Sequence, residues 1–244
     1  MMNIKLTAIP NKLLPIVTML PLLCAGAWAN AAELEITVSN VTQGIYYTPI
    51  IVAAHTADTS IFRSGEMASS ELQALAEGGD ISGVAAMLAT ASADMVENPA
   101  AGLLEPGMST TTMLTTSDGN NYLSIAAMLL PTNDGFVGLD SWMLPTTAGT
   151  YQFTLNAYDA GTEANDEIVV GMVGGPPGAP GIPAAPGMDA GTGATGVTTM
   201  EANTYVHIHR GNLGDDDDMA GKSDLNNTIH RWLNPVAEVT VVVK

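Results

Sequence analysis

The sequence predicts an all-β protein, mainly an antiparallel sandwich, with two short helices inserted between strands. Its length of 244 residues suits one large domain or two small ones. Only 13% of the residues are charged, against 25 glycines and 14 prolines, so the residues that normally build solvated helix faces are scarce. Short apolar or alternating segments separated by turn residues are typical of a β-sandwich.

Seven segments are predicted as strands. The first alternates apolar and polar residues, Leu34-Glu35-Ile36-Thr37-Val38, as a half-buried strand does. Pro49 interrupts the second, which favours an edge strand or a bulge there. The predicted strands are residues 34–38, 46–54, 109–116, 122–130, 149–158, 201–209 and 236–243. Because the first and last lie at the two ends of the chain, we expect one domain.

Two helices are predicted between the second and third of these strands. Ser69 and Ser70 precede residues 71–77, and Gly78-Gly79 follows them. Serine at the start and glycine at the end are the usual helix boundaries. Residues 81–93 are rich in alanine and predict the second helix.

Residues 1–29 have the order of a secretory signal peptide: Lys5 and Lys12, an apolar run, then Ala27-Trp28-Ala29. The run is about ten residues long, too short for a membrane span of about twenty. We expect cleavage after Ala29, a secreted protein (extracellular or periplasmic) and no membrane insertion. The only cysteine, Cys24, lies in this segment, so a packed core or a bound ion must stabilise the exported domain without a disulfide.

The charge balance excludes one class of partner. The chain has 25 acidic and 7 basic residues and a net charge of −18. A nucleic-acid binder needs a basic surface to displace counterions from phosphates. We therefore expect no nucleic-acid partner.

Two acidic turns are the candidate functional residues. Asp134 lies in the Gly-containing stretch 131–139, and Asp159 and Glu163 lie in the stretch 158–163. Ca²⁺ prefers six to eight hard oxygen ligands, which converging loops at one end of a sandwich can supply. The alternative is that these residues only form turns.

At these turns the sequence resembles the spondin domain, the N-terminal module of F-spondin and mindin. The resemblance rests on Asn133-Asp134-Gly135-Phe136-Val137-Gly138-Leu139 and Tyr158-Asp159-Ala160-Gly161-Thr162. Further blocks resemble the bacterial secreted branch: Ala68-Ser69-Ser70-Glu71-Leu72, Ala76-Glu77-Gly78-Gly79-Asp80, His209-Arg210-Gly211, Ser223-Asp224-Leu225 and His230-Arg231-Trp232-Leu233-Asn234-Pro235-Val236-Ala237. The similarity covers roughly residues 33–244, and residues 30–244 are expected to form the domain.

The resemblance implies an eight-stranded, C2-like β-sandwich with Ca²⁺ at one end. Carried over by position, its metal ligands are Asp134, Asp159 and Glu163. The family usually has Asp where Glu163 stands, which puts the ion geometry in doubt, and Asp166 is a substitute ligand. The resemblance also implies a non-catalytic module for binding or adhesion, at the cell surface or outside the cell. Its ligand, protein or glycan, is unknown.

Two rival functions stay open. His207 and His209 on one strand face, with His230, predict a zinc-dependent hydrolase site, and a passive structural role in an envelope or matrix is the third hypothesis. The acidic run 215–218 is interpreted as a solvated loop. The Pro/Gly-rich segment 174–193 is interpreted as a flexible surface insertion, because its three Gly-X-Y triplets are too few for a collagen helix.

Overall fold

The computed structural model describes residues 31–169, 182–188, 195–200, 203–217 and 221–244. The predicted signal peptide lies outside these residues. The strands are β1 (Glu33–Asn40), β2 (Tyr46–Tyr47), β3 (Ile51–His55), β4 (Asp94–Glu97), β5 (Ser109–Thr115), β6 (Tyr122–Leu130), β7 (Gly135–Met143), β8 (Gly149–Asp159), β9 (His207–Ile208) and β10 (Ala237–Val243). The helices are α1 (Ser70–Gly78) and α2 (Ser82–Thr90).

The strands form one continuous antiparallel sheet whose main path is β4-β3-β6-β7-β8-β10-β1-β5. That path has eight strands, and the two-residue strands β2 and β9 pair with β6 and β8 beside it. The prediction of an all-β antiparallel protein with short helical insertions is therefore confirmed. β4 and β7 were not among the predicted strands, and the predicted strand 46–54 is divided into β2 and β3 around Pro49.

The sheet folds into two layers because β8 belongs to both. Its first part, from Gly149 to Leu155, pairs with β10, and its last part, from Asn156 to Asp159, pairs with β7. β5, β1 and β10 thus lie in one layer, and β7, β6, β3 and β4 lie in the other. β10 pairs with β1 along its whole length, so the two ends of the described chain meet in the first layer.

The main core fills the space between the layers. Strands of the first layer contribute alternate residues such as Ile36 and Val241, and strands of the second contribute Val52 and Ile125. All four are fully buried. This alternation, with the intervening side chains outward, is the reason for the period-two pattern in β1 and β10.

The two helices cover the outer face of the second layer. Ser69 caps α1 by accepting the Leu72 N–H, and Gly79 ends it in the left-handed conformation at φ 68°. Leu72, Leu75 and their neighbours pack against side chains such as Phe136 on the sheet. Because both faces of the second layer are covered at its centre, β3 and β6 are buried almost along their whole length. No described helix has the length and apolarity that a membrane crossing requires.

A third, smaller cluster closes the end of β6. Ile182 and Ala185, from the described part of the predicted Pro/Gly-rich insertion, are buried there with Met128, Leu130 and Val169. At these residues the insertion packs on the domain. The Gly-X-Y triplets before Ile182 lie outside the described residues.

Candidate metal centre

The register of two strands brings Asp134 and Asp159 together. Asp134 immediately precedes β7 and Asp159 ends β8, and Gly135 is the register partner of Asp159. The backbone of Ala160 donates to the carbonyl oxygen of Asp134 at 3.1 Å. Asp134 is 0% and Asp159 1% exposed, so two acidic side chains are buried at the same end of the second layer.

The turn after β8 adds Glu163 to this pair. Asp134 Oδ2 accepts hydrogen bonds from the Glu163 N–H at 3.0 Å and the Thr162 N–H at 2.8 Å. Gly161 makes the turn possible, because its φ is 72° and a Cβ there would lie 2.7 Å from the Thr204 carbonyl carbon. The three acidic residues predicted from the sequence are therefore brought together around Asp134.

Three buried carboxylate oxygens near this turn have no hydrogen-bond partner among the described residues. They are Asp134 Oδ1, Glu163 Oε2 and Glu77 Oε2. Buried polar atoms are almost always hydrogen-bonded, and leaving one unpaired costs about 1–3 kcal/mol. Within the described residues, no hydrogen-bond donor therefore compensates the burial of these three oxygens.

The pKa values of the same groups reflect this crowding. Burial, and then the Asp159 carboxylate, raise the pKa of Asp134 to about 6, despite its hydrogen bonds from Thr162 and Glu163. Burial raises the pKa of Glu163 to about 9, with further increases from the carboxylates of Glu77, Asp134 and Asp166. Both shifts indicate a site that favours neutralisation of its carboxylates.

Glu77 is the functional candidate that the sequence interpretation missed. It lies in the last turn of α1 and is only 3% exposed. Gln73 Nε2 donates to Glu77 Oε1 at 2.8 Å, and Oε2 has no partner among the described residues. The Glu77 carboxylate lies close enough to Glu163 to raise the pKa of that residue. The helix that covers the outer face of the sheet thus delivers a fourth carboxylate to the site.

Asp159 and Asp166 both accept hydrogen bonds that fix the loop after β8. Asp159 Oδ1 accepts the Gly161 N–H at 2.8 Å and Oδ2 accepts the Asn165 amide at 2.7 Å, with His207 Nε2 at 3.8 Å from Oδ2. Asp166 Oδ1 accepts from the Asn133 amide at 2.9 Å and the Ile168 N–H at 3.0 Å. Both carboxylates therefore fix the loop as well as adding negative charge to the site.

No three or more His, Cys, Asp or Glu side chains in the described part of the chain form a group already arranged to hold a metal ion. For the acidic cluster, this means that side chains must rotate for shared coordination. For the histidines, the three-residue zinc group predicted as a rival is not formed by His207, His209 and His230.

The hydrogen bonds of the histidines explain this result. His209 is buried beside Trp232, and its Nδ1 accepts the Gly211 N–H, so its proton lies on Nε2. His230 Nδ1 accepts the Asn226 N–H in the same way. A zinc ligand needs a free lone pair on the coordinating nitrogen, which neither Nε2 offers in this arrangement.

The acidic run beginning at Asp215 lies in a separate loop. Asp215 Oδ2 accepts the N–H groups of Lys222 and Ser223 at 2.7 and 3.0 Å, and Asp215 Oδ1 accepts that of Asp217 at 3.1 Å. These bonds give Asp215 a structural role within the loop. Asp216 and Asp217 are exposed, in agreement with the solvated interpretation, and Asp218 lies outside the described residues.

Comparison with known protein families gives one match. The family model described as Spondin_N matches residues 23–167, which include α1, Asp134, Asp159 and Glu163. No curated protein matches the chain.

Proposed function

Because this chain belongs to the spondin N-terminal domain family, we propose that it is a secreted, non-catalytic binding module whose acidic loops are organised by one calcium ion. Family membership indicates an extracellular binding role, with the ligand unspecified. The ion, its ligands and the non-catalytic mechanism go beyond what family membership indicates.

The observation that carries the calcium proposal is the set of unpartnered oxygens on Asp134, Glu163 and Glu77. Carboxylate oxygens on irregular loops suit Ca²⁺, which accepts about six to eight oxygen ligands in flexible geometry. Mg²⁺ requires near-ideal octahedral geometry and keeps several waters, which a buried site accommodates less well. The donor set therefore favours calcium.

Each residue has a defined part in this proposal. Asp134 would coordinate through Oδ1 while its Oδ2 continues to hold the backbone of Thr162 and Glu163. Glu163 and Glu77 would supply their free Oε2 atoms. Asp159 would contribute charge and a remaining lone pair, because both of its oxygens already accept hydrogen bonds.

The ion would act structurally. Without it, the clustered acidic groups repel one another or hold protons at the end of the second layer, and the loop after β8 depends on hydrogen bonds such as those to Asp134. With the ion bound, that repulsion would be neutralised, and coordination to the same ion would link the loop, β7 and α1. A fixed loop surface binds a partner at lower entropic cost than a mobile one.

Thermal unfolding with calcium or EDTA at matched ionic strength tests the proposal. A ligand that binds only the folded state stabilises it by about 2.7 kcal/mol at a concentration 100 times Kd. For a domain of about 150–250 residues this raises Tm by about 5–11 °C. Asp134→Asn should abolish the increase, and Glu77→Gln should reduce it.

The control is Asp216→Asn, the same chemical change at an exposed acidic residue outside the site. It should keep the full response to calcium. Equal midpoints in calcium and EDTA for the unmodified protein would contradict a structural ion. An equal response of Asp134→Asn and Asp216→Asn would contradict this ligand set.

A further inference from the structure

The two ends of the sheet path, β4 and β5, meet along a seam without forming a ladder in the described chain. Side chains connect them instead: the Asp94 carboxylate accepts the Ser117 hydroxyl at 2.8 Å at one end. At the other end, the Thr110 hydroxyl donates to the Pro99 carbonyl at 3.0 Å. The space between the layers is therefore closed here only by side chains and by the segment after β4.

The opposite side of the sandwich is closed differently. Where β8 passes between the layers, three aromatic rings pack together. The ring centroid of Trp142 lies 4.8 Å from that of Phe153 and 6.1 Å from that of Tyr151. The seam has smaller or more flexible apolar side chains in the corresponding place. They leave a cavity of about 360 Å³ that is open to solvent.

The cavity wall combines apolar side chains with oxygen atoms. Pro99, Ala100, Leu103, Leu104 and Met108 form the apolar part, and Leu104 connects it to the main core. Leu103 and Met108 are 37% and 54% exposed. Exposed apolar side chains around a concave opening are typical of small-molecule sites.

The segment that forms this wall has an unusual backbone. Asn98 and Ala101 adopt positive φ values of 49° and 56°, which non-glycine residues rarely do. The bond from the Gly102 N–H to Asn98 Oδ1, 2.9 Å, fixes the turn. Strained residues that are held in place by the surrounding structure cluster at binding sites.

The charge of the cavity wall is negative. Glu105 is its one charged residue, and none of the lining residues is Lys, Arg or His. The Thr110 hydroxyl uses its proton on Pro99, and the Ser109 hydroxyl is paired with Ser39 at 2.7 Å. A positively charged hydrogen-bond donor therefore complements the Glu105 carboxylate.

We propose that this cavity binds a small primary ammonium compound with an apolar tail. The tail would lie against Leu103, Leu104 and Met108, and the ammonium group would donate to the Glu105 carboxylate. At about 30 Å³ for each group of the size of water, the volume accommodates about a dozen non-hydrogen atoms. The site is independent of the acidic centre and of calcium.

Octylammonium is the probe, with octanol as the uncharged control of the same tail length. Methyl resonances of Leu103 and Met108, followed by NMR at fixed ionic strength, should shift saturably with octylammonium and more weakly with octanol. Glu105→Gln should weaken octylammonium binding about two- to fivefold, the range of an exposed ion pair. It should leave octanol binding unchanged.

Two matched variants separate the cavity from general attraction to an acidic protein. Glu33→Gln removes an exposed charge at the opposite end of β1 and β5 from the cavity residue Ser109, and should have no effect on binding. Leu103→Lys places a positive charge in the cavity wall and should abolish saturable binding, whereas Leu233→Lys, at a residue 83% exposed, should not. Non-saturable shifts, equal affinity for octylammonium and octanol, or equal losses in Glu105→Gln and Glu33→Gln would each overturn the proposal.

Discussion

Calcium binding to the ion-free protein is expected to release protons, in a number set by Asp134 and Glu163. With pKa values of about 9 for Glu163 and about 6 for Asp134, the two groups together hold about 1.1 protons at pH 7 and about 1.9 at pH 5. Coordination requires both carboxylates to be ionised. Binding should therefore release about one proton at pH 7 and about two at pH 5, and calcium affinity should rise with pH.

Isothermal titration calorimetry in two buffers of different ionisation enthalpy measures this release directly. Glu163→Gln removes the group with the higher pKa, so its release at pH 7 should fall from about 1.1 protons to about 0.1. Glu238→Gln, an exposed control, should behave as the unmodified protein. Calcium binding without proton release at either pH would refute the argument that the site crowds its carboxylates.

The same pKa values determine how the stability of the ion-free protein depends on pH. The pKa of Glu163 is raised from 4.5 to about 9 on folding, so between these values the folded state holds a proton that the unfolded chain has lost. Stability contributed by this group is therefore complete below about pH 4.5 and declines as pH rises toward 9. Saturating calcium should remove the decline, which denaturant titrations across this window can measure.

Three substitutions away from the ion test the scaffold by thermal or urea unfolding. Ser69→Ala removes the acceptor for the Leu72 N–H and should cost about 1 kcal/mol, whereas Ser69→Asp should not. Gly138→Ala places a Cβ 2.6 Å from the Phe62 ring and should cost about 1–3 kcal/mol; no loss would contradict the packing there. The Glu167 carboxylate accepts hydrogen bonds from two backbone N–H groups and one hydroxyl. Glu167→Gln replaces one accepting oxygen with an NH₂ donor and should lower the free energy of unfolding by about 1–3 kcal/mol. Unchanged stability would show that these hydrogen bonds do not stabilise the fold.

The sequence predicted those helices and strands whose formation depends on residues within or next to the element itself. Ser69 and Gly79 bound α1 as expected, because the serine cap and the left-handed glycine act within a few residues of sequence. β1 was predicted from alternation, since it has one face in the core and one in solvent. In these elements the requirement that shapes the structure, a cap or one buried face, is also visible in the local sequence.

β7 was missed because its pattern is set by packing against distant residues. Gly138 lies in the middle of the strand, where the Phe62 ring leaves no room for a Cβ. Four consecutive residues from Gly135 are buried, since helices cover one face of the layer and the core covers the other. The stretch therefore shows two glycines and no alternation, which locally favours a turn. β4 has only four residues, and its partly buried positions give no clear alternation either.

The acidic centre was predictable only in part, for the same reason. Two Gly-containing turns and the family resemblance identified Asp134, Asp159 and Glu163, but their meeting depends on the pairing of β7 with β8. That pairing was not derivable while residues 135–139 were interpreted as a turn. The sequence therefore indicated which acidic residues to consider, but not how the fold brings them together.

The position of Glu77 in its helix is a sequence signal that could have identified it as a candidate site residue. Acidic side chains are unfavourable in the last turn of a helix, where the helix dipole is negative, and α1 has no basic residue there to compensate. The helix also has no need of a buried carboxylate for packing, since Leu72 and Leu75 supply its apolar contacts. The negative charge of Glu77 is disfavoured both by the helix dipole and by burial, so it requires a compensating interaction outside the helix. The neighbouring carboxylates increase that requirement, and a shared cation would meet it for Glu77, Asp134 and Glu163 at once.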